Sequence, residues 1–168
     1  EIVAVSAAKN LTPYTLELGG KSPAIIDRNT DLKLVSKRIV WGKFLNSGQT
    51  CVAPDYLIVH KSIKGTLIKE LINRIELTFD KNFDNTSDIT AIVNEKNFNR
   101  LEELIKENKI IYGGKLNREN RYIFPTIIDN PKMDSNIMKE EIFGPILPVL
   151  SFEKLEEIDS IINKNPNP

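Results

Sequence analysis

The chain has 168 residues, which is enough for one domain with a hydrophobic core, and 40% of them are hydrophobic. Lys plus Arg and Asp plus Glu number 23 each, so the net charge is zero and predicts neither nucleic acid nor an anionic membrane as partner. One cysteine excludes an internal disulfide and the usual zinc clusters, suits a reducing compartment and predicts a cytoplasmic location, and no apolar run is long enough for a transmembrane segment.

The first half of the chain alternates short apolar runs with helical patterns. Residues 1–9 are apolar and alanine-rich, as in a strand tail or a helix end. Strands are predicted at Thr15 to Leu18, before Gly19-Gly20, and at Pro23 to Ile26. A helix opened by Asp31 has an apolar face at Leu32, Val35, Ile39, Val40 and Phe44. A strand from Tyr56 to His60 and a long helix from Ser62 to Phe79 follow.

The second half repeats this alternation. After a polar loop at residues 81–88, the predicted strands are Ile89 to Val93, Ile110 to Tyr112, Tyr122 to Ile128 and Ile146 to Phe152. Pro125 interrupts the third of these, which predicts an edge strand or a bulge. The predicted helices are Asn97 to Glu107 and Leu155 to Asn163, and residues 129–139 are predicted to form a loop.

Strands that alternate with helices predict an α/β fold, with a mainly parallel sheet and helices on both faces. Sheets of this kind usually place their sites at the carboxyl ends of strands. The only cysteine, Cys51, follows a helix instead, so this rule does not locate it.

Cys51 lies in the segment Phe44 to Pro54, whose Gly, Ser, Gln, Thr and Pro residues indicate a loop. An accessible thiol in a polar loop can act as a nucleophile, and the alternative is an ordinary loop cysteine. Trp41 and Phe44, just before this loop, are expected to face the core rather than a substrate tunnel.

Carboxylates mark two further stretches. Glu17 lies in an apolar run before two glycines, either as a functional group or as an exposed strand-end residue. Glu140 and Glu141 precede a Phe-Gly-Pro turn, where a carboxylate can accept hydrogen bonds from ligand hydroxyls. The alternative for this second pair is a solvated acidic turn.

Together these stretches resemble the aldehyde dehydrogenase superfamily, in particular the class that contains fatty and aromatic aldehyde dehydrogenases. The resembling segments are LELGGKSP (Leu16 to Pro23), FLNSGQTC (Phe44 to Cys51) and EEIFGP (Glu140 to Pro145). Their order and the interval of 34 positions from Glu17 to Cys51 match the family. The resemblance covers nearly the whole chain but only part of a family member.

The resemblance implies NAD(P)-dependent oxidation of an aldehyde to a carboxylic acid. Cys51 would be the nucleophile that forms a thiohemiacetal and then a thioester, and Glu17 would activate the hydrolytic water. Leu18, Gly19, Glu141 and Phe143 would contact the cofactor, NAD or NADP, with Glu141 on the nicotinamide ribose. Lys21 and Asn46 are expected to be structural.

The resemblance also implies that part of the protein is missing here. Residues 1–20 would connect to an absent cofactor domain and residues 21–168 would form the catalytic core. The missing initial methionine and the abrupt end at NKNPNP are consistent with a fragment of a longer, homo-oligomeric protein.

The alternative function is a non-catalytic, truncated module that keeps the same fold. Under either hypothesis His60 is expected to be a strand-end surface residue, and no His/Cys cluster with ligand spacing predicts a metal site.

Overall fold

A five-stranded sheet organises the chain in the computed structural model, which describes residues 1–79 and 89–164. Its strands, from one edge to the other, are β1 (Pro23–Ile26), β2 (Tyr56–His60), β7 (Ile146–Phe152), β6 (Thr126–Asp129) and β3 (Ile110–Tyr112). The first four are parallel, and β3 is antiparallel to β6. The predicted α/β fold with a mainly parallel sheet is confirmed.

Six α-helices accompany this sheet in the described part of the chain. They are α1 (Ile2–Lys9), α2 (Leu32–Phe44), α3 (Lys61–Thr78), α4 (Glu95–Lys106), α5 (Asn136–Lys139) and α6 (Glu156–Ile162). A 3₁₀ turn, Leu45–Gly48, extends α2, and β4 (Leu116–Asn117) pairs with β5 (Tyr122–Ile123) in a separate two-stranded ladder. None of the described helices is long and apolar enough to cross a lipid bilayer.

Side-chain caps fix the starts of the helices next to the motifs. The Asp31 carboxylate accepts hydrogen bonds from the backbone N–H groups of Lys33 (3.0 Å) and Leu34 (3.1 Å), as an N-cap does. Asn94 caps α4 by accepting a hydrogen bond from the Asn97 N–H at 2.9 Å. His60 caps α3, since its Nδ1 faces the Ser62 N–H at 3.3 Å, so a structural role accounts for this histidine.

Both faces of the sheet are covered, as the strand β2 shows. Leu57 and Val59 point into one core, which α2 and α3 cover with Val40, Phe44, Leu67 and Leu71 among others. Tyr56 and Ile58 point into a second core, which contains Phe98, Leu101 and Leu104 of α4. This alternation is what a strand buried on both sides of a parallel sheet requires.

Several predictions of elements were wrong. Thr15 to Leu18 is exposed, non-strand chain, and Ile89 to Val93 forms no strand. Within the span Tyr122 to Ile128, the strand β6 starts after Pro125 and lies inside the sheet rather than at its edge. The predicted loop at residues 129–139 contains the short helix α5. The loop predicted at residues 81–88 lies outside the described residues.

Candidate active site

The three motif segments meet at the amino ends of the parallel strands. Lys21 stands just before β1, Asp55 just before β2, and residues 140–145 run directly into β7. In a parallel sheet the amino ends of neighbouring strands lie side by side, so segments that are distant in sequence become neighbours there. The site therefore lies at the amino ends of the strands, whereas such sheets usually bind ligands at the carboxyl ends.

A buried ion pair joins these segments. The Lys21 ammonium donates hydrogen bonds to the Asp55 carboxylate and to the carbonyl oxygens of Ile137 (2.5 Å) and Glu140 (2.7 Å). Asp55 Oδ1 in turn accepts a hydrogen bond from the Ile142 N–H at 3.0 Å. Burial lowers the pKa of Lys21, and the Asp55 carboxylate opposes that shift. The structural role predicted for Lys21 is confirmed.

The loop that carries Cys51 is held by its own side chains. Ser47 Oγ donates to the Thr90 carbonyl (2.6 Å), and the Gln49 amide donates to the Ala91 carbonyl (3.1 Å) and accepts from the Val93 N–H (2.9 Å). In residues 89–93, where a strand was predicted, the backbone groups of Thr90, Ala91 and Val93 thus bind this loop rather than a neighbouring strand. The Asn46 amide donates to the Gln49 carbonyl at 3.1 Å, as its predicted structural role requires.

Gly48 of this loop lies against Gly144 of the EEIFGP segment. Its φ is +71°, and a Cβ at this position would stand 2.4 Å from the Gly144 carbonyl oxygen and 3.0 Å from the Lys43 carbonyl oxygen. Only glycine accommodates both the left-handed backbone and this contact. The α2 terminus, the cysteine loop and the EEIFGP segment are thus packed together at one residue.

Gly19 approaches the Glu141 carboxylate in the same way. A Cβ on Gly19 would stand 2.7 Å from Glu141 Oε2. The backbone around Glu141 is fixed by Arg100, whose guanidinium donates to the carbonyls of Glu141 (3.2 Å) and Ile142 (2.6 Å). The structure therefore brings together two of the predicted cofactor-contacting residues.

The other predicted site residues are on the surface of the chain. Cys51 is an exposed free thiol, and Glu17 and Leu18 are exposed as well. Phe143 is 39% exposed, with φ +48°. No hydrogen bond within the described part of the chain joins Glu17 to Cys51, so the structure does not itself assemble a base–nucleophile pair.

The residues flanking the cysteine loop differ from expectation in one respect. Phe44 is buried in the core, as predicted, but Trp41 is 69% exposed. Trp41 instead lines a groove of about 310 Å³ with Leu45, Asn46 and Phe79. The apolar residues of α2 that are buried in the core are Ile39, Val40 and Phe44, and Trp41 lies outside the helix face that they form.

Sequence analysis missed two charged residues of the site, Lys43 and Asp55. Lys43 is 1% exposed, and burial lowers its pKa to about 8; Asp55 and Glu141 act to raise that pKa and Lys21 to lower it. One signal was available for Lys43, because it follows Val40 by three residues and so shares the apolar face of α2. The signal for Asp55 was its position directly before the buried strand β2.

No cluster of three or more His, Cys, Asp or Glu side chains suited to a metal occurs in residues 1–79 and 89–164. The residues present do fit a nicotinamide dinucleotide at the Glu141 end. The Glu141 carboxylate is half-buried and makes no hydrogen bond to the described residues, and because Gly19 has no Cβ this carboxylate can lie directly against the Gly19 backbone.

Comparison with known proteins gives consistent matches. The profile of the aldehyde dehydrogenase family matches residues 1–167. The 4,4'-diaponeurosporen-aldehyde dehydrogenase of Staphylococcus aureus (strain NCTC 8325 / PS 47) is 45% identical over an alignment of 170 positions, which covers 100% of this chain and 37% of that protein. The dimeric NADP-preferring aldehyde dehydrogenase of Rattus norvegicus is 42% identical and is likewise covered over 37% of its length.

Solved structures give the same result. The substrate-bound state of Staphylococcus aureus AldH superposes with a TM-score of 0.88 at 45% identity, over 97% of this chain and 36% of that one. The lactaldehyde dehydrogenase of Escherichia coli superposes with a TM-score of 0.83 at 32% identity, over 96% of this chain and 35% of that one. The chain thus spans little more than a third of the proteins it matches.

Proposed function

Because the chain belongs to the aldehyde dehydrogenase family, we propose that it carries the catalytic segment of an enzyme that oxidises an aldehyde to a carboxylic acid. One observation carries this proposal beyond family membership. The loop of Cys51 and the segment of Glu141 pack against each other at Gly48. The Lys21–Asp55 ion pair holds this region at the amino ends of the parallel strands. The thiol and the cofactor-contacting carboxylate thus belong to one rigid junction.

Cys51 is the proposed nucleophile. Its sulfur attacks the aldehyde carbon, and the carbonyl oxygen becomes the oxyanion of a thiohemiacetal. Within the described residues the Cys51 backbone N–H donates no hydrogen bond, so it is available to that oxyanion. The exposure of Cys51 and the hydrogen bonds that fix its loop support this role, since a nucleophile needs both access and a defined position.

A dinucleotide, when bound, would supply the hydride acceptor, and loss of hydride from the thiohemiacetal would leave a thioester on Cys51. Glu17 is the proposed base for the water that hydrolyses this thioester. Its exposed position gives water access to the carboxylate. Hydrolysis releases the carboxylic acid and returns the Cys51 thiol.

The proposed cofactor is NAD or NADP, held in this chain at its nicotinamide end. Glu141 would accept hydrogen bonds from ribose hydroxyls, Phe143 would pack near the nicotinamide ring, and Leu18 and Gly19 would provide backbone next to it. The rat relative is named as NADP-preferring and dimeric. We propose self-association for a full-length protein of this kind, and a cytoplasmic location remains a prediction from the lone cysteine.

The test is the effect of Cys51→Ala on cofactor reduction in a full-length family member that contains this chain. We expect the variant to retain binding of the reduced cofactor and to lose aldehyde-dependent reduction. His60→Ala serves as the matched control, because His60 caps a helix away from the site. Aldehyde-dependent reduction by Cys51→Ala at the unsubstituted rate would remove Cys51 from the mechanism and favour the non-catalytic alternative.

A further inference from the structure

Arg100 of α4 holds the backbone of the segment that carries Glu141 and Phe143. Its guanidinium donates one hydrogen bond to the Glu141 carbonyl (3.2 Å) and one to the Ile142 carbonyl (2.6 Å). The side chain is 28% exposed, and its Nη1 also lies 3.6 Å from Glu140 Oε1. A planar guanidinium can reach two carbonyl oxygens at once, and a charged donor forms stronger hydrogen bonds than a neutral one. The mechanism proposed above assigns Arg100 no task.

Phe143 follows these two carbonyl groups directly and has an unfavourable backbone conformation. Its φ of +48° lies in the left-handed region, which a bulky aromatic residue rarely occupies. Such a conformation persists only where the surrounding contacts impose it. The side chain of Phe143 is 39% exposed, so burial of its ring does not supply that constraint. The contacts that impose the conformation are therefore those of the residues on either side of Phe143.

One helix, α4, contacts the segment on both sides of Phe143. On the preceding side Arg100 binds the Ile142 carbonyl. On the following side Gly144 lies against Leu101, because a Cβ on Gly144 would stand 2.5 Å from Leu101 Cδ2. Arg100 and Leu101 are consecutive residues of α4, so the position of this helix fixes the backbone before and after Phe143 together.

Phe143 also borders the loop of the proposed nucleophile. It lines a groove of about 370 Å³, whose other lining residues are Asn46, Gln49, Thr90, Ala91 and Val93. The Gln49 side chain is hydrogen-bonded to the backbone of Ala91 and Val93, so this wall of the groove is held in place. The direction of a side chain follows its backbone conformation. A relaxation of Phe143 out of the left-handed region would therefore move its ring relative to the cysteine loop.

We propose that Arg100 is a positioning residue for the nicotinamide end of the cofactor. By bridging the carbonyls of Glu141 and Ile142, it keeps Phe143 in its left-handed conformation at the groove beside the cysteine loop. This inference rests on the function proposed above. A segment that already has its binding geometry loses less conformational freedom when the dinucleotide binds, and such pre-organisation strengthens binding.

The positioning is tested first without any cofactor, by hydrogen exchange in a full-length family member that contains this chain. Arg100→Met removes both hydrogen bonds and keeps an apolar stem. The Ile142 amide donates to Asp55, and we expect its exchange to become about tenfold faster because the segment opens more often. Arg118→Met is the matched control, since Arg118 binds Glu102 of the same helix and should leave this exchange unchanged. Unchanged exchange of Ile142 in Arg100→Met would overturn the positioning role.

The functional consequence is tested in the same protein by calorimetric titration with NADH or NADPH, and with ADP, which lacks the nicotinamide end. We expect Arg100→Met to raise Kd for the reduced dinucleotide about tenfold and to leave Kd for ADP within about twofold. Arg100→Lys keeps the charge but cannot bridge both carbonyls, so its Kd should lie between. Equal losses for both ligands would overturn the inference. Weaker dinucleotide binding with unchanged Ile142 exchange would show direct contact of Arg100 with the ligand and would also overturn it.

The two measurements also separate this inference from the proposed function. If the unsubstituted protein binds neither dinucleotide, the proposed function fails and the cofactor role of Arg100 fails with it, whereas hydrogen exchange still shows whether Arg100 holds the segment. If the dinucleotide binds and Arg100→Met binds it equally well, the function stands and the inference fails. Circular dichroism of each variant confirms that a loss of binding does not reflect unfolding.

Discussion

The burial of the Lys43 ammonium costs folding free energy. Its pKa of about 8 in the folded chain lies below the ordinary 10.5, so the unfolded chain binds more protons between these values. The difference corresponds to about 3 kcal/mol of destabilisation. This penalty is fully present below pH 8 and is lost as the pH rises from 8 toward 10.5.

We therefore predict that Lys43→Met stabilises the chain by about 1 to 3 kcal/mol at pH 7, because it fills the same space without a charge. The gain should shrink between pH 8 and pH 10. Urea unfolding at pH 7 and pH 10 measures it, with Lys37→Met as the exposed control. A loss of stability at pH 7, or a gain that is equal at both pH values, would contradict this account of Lys43.

Lys21 should behave in the opposite way, although it is also a buried lysine. Lys21→Met leaves the Asp55 carboxylate buried without its counter-charge and removes two hydrogen bonds to carbonyl oxygens. We predict a loss of about 3 to 5 kcal/mol in the free energy of unfolding. Lys61→Met, which breaks the exposed pair of Lys61 with Glu153, should cause no measurable change. Equal effects of the two substitutions would show that the buried pair is not stabilising.

At the residue scale, the sequence identified those residues whose role depends on their neighbours in the chain. Cys51 was singled out by its polar loop, and Asp31 by its place before an apolar periodicity. The ion pair joins Lys21 to Asp55, 34 positions away, and Asp55 also accepts a hydrogen bond from Ile142, 87 positions away. Local patterns contain no information on such contacts, so the ion pair that joins the three motifs was not predicted.

At the scale of elements, we predict opposite effects on stability for alanine substitutions at Gly48 and Gly65. Gly48→Ala places a Cβ against the Gly144 carbonyl in a left-handed backbone, and we predict a loss of about 2 to 4 kcal/mol and a displaced Cys51 loop. Gly65 lies within α3, and a Cβ there meets nothing within 4 Å. Gly65→Ala should stabilise by about 0.5 to 1 kcal/mol. Thermal unfolding of both variants is the measurement, and a stable Gly48→Ala would contradict the packing at this junction.

The elements predicted correctly are those with a strong pattern of their own. β1, β2 and β7 are continuous apolar runs, and α2 and α4 have capping residues and apolar faces. Thr15 to Leu18 contains two polar residues among four, and it pairs with no strand of the described sheet, whose edge strand on this side is β1. Pro125 stands just before the first paired residue of β6, Thr126, so its missing N–H breaks no bond of the ladder and β6 can lie inside the sheet.

At the scale of the whole molecule, the described residues include a five-stranded sheet with both faces covered, and the chain spans little more than a third of the length of its relatives. We predict that this chain alone folds and does not oxidise aldehydes, because the proposed contacts of Glu141 and Phe143 would hold only one end of the dinucleotide. Cofactor absorbance at saturating aldehyde, with Cys51→Ala as the blank, tests this. Reduction near an ordinary enzymatic rate of about 1 per second would contradict it.

The central claim is that Cys51 carries the acyl group, and a covalent adduct tests it most directly. In a full-length family member that contains this chain, Glu17→Gln should slow hydrolysis of the thioester and leave its formation intact. Mass spectrometry after mixing this variant with aldehyde and oxidised dinucleotide should show one acyl group on the Cys51 peptide, absent when the dinucleotide is omitted. No adduct, or an adduct on another residue, would contradict the account.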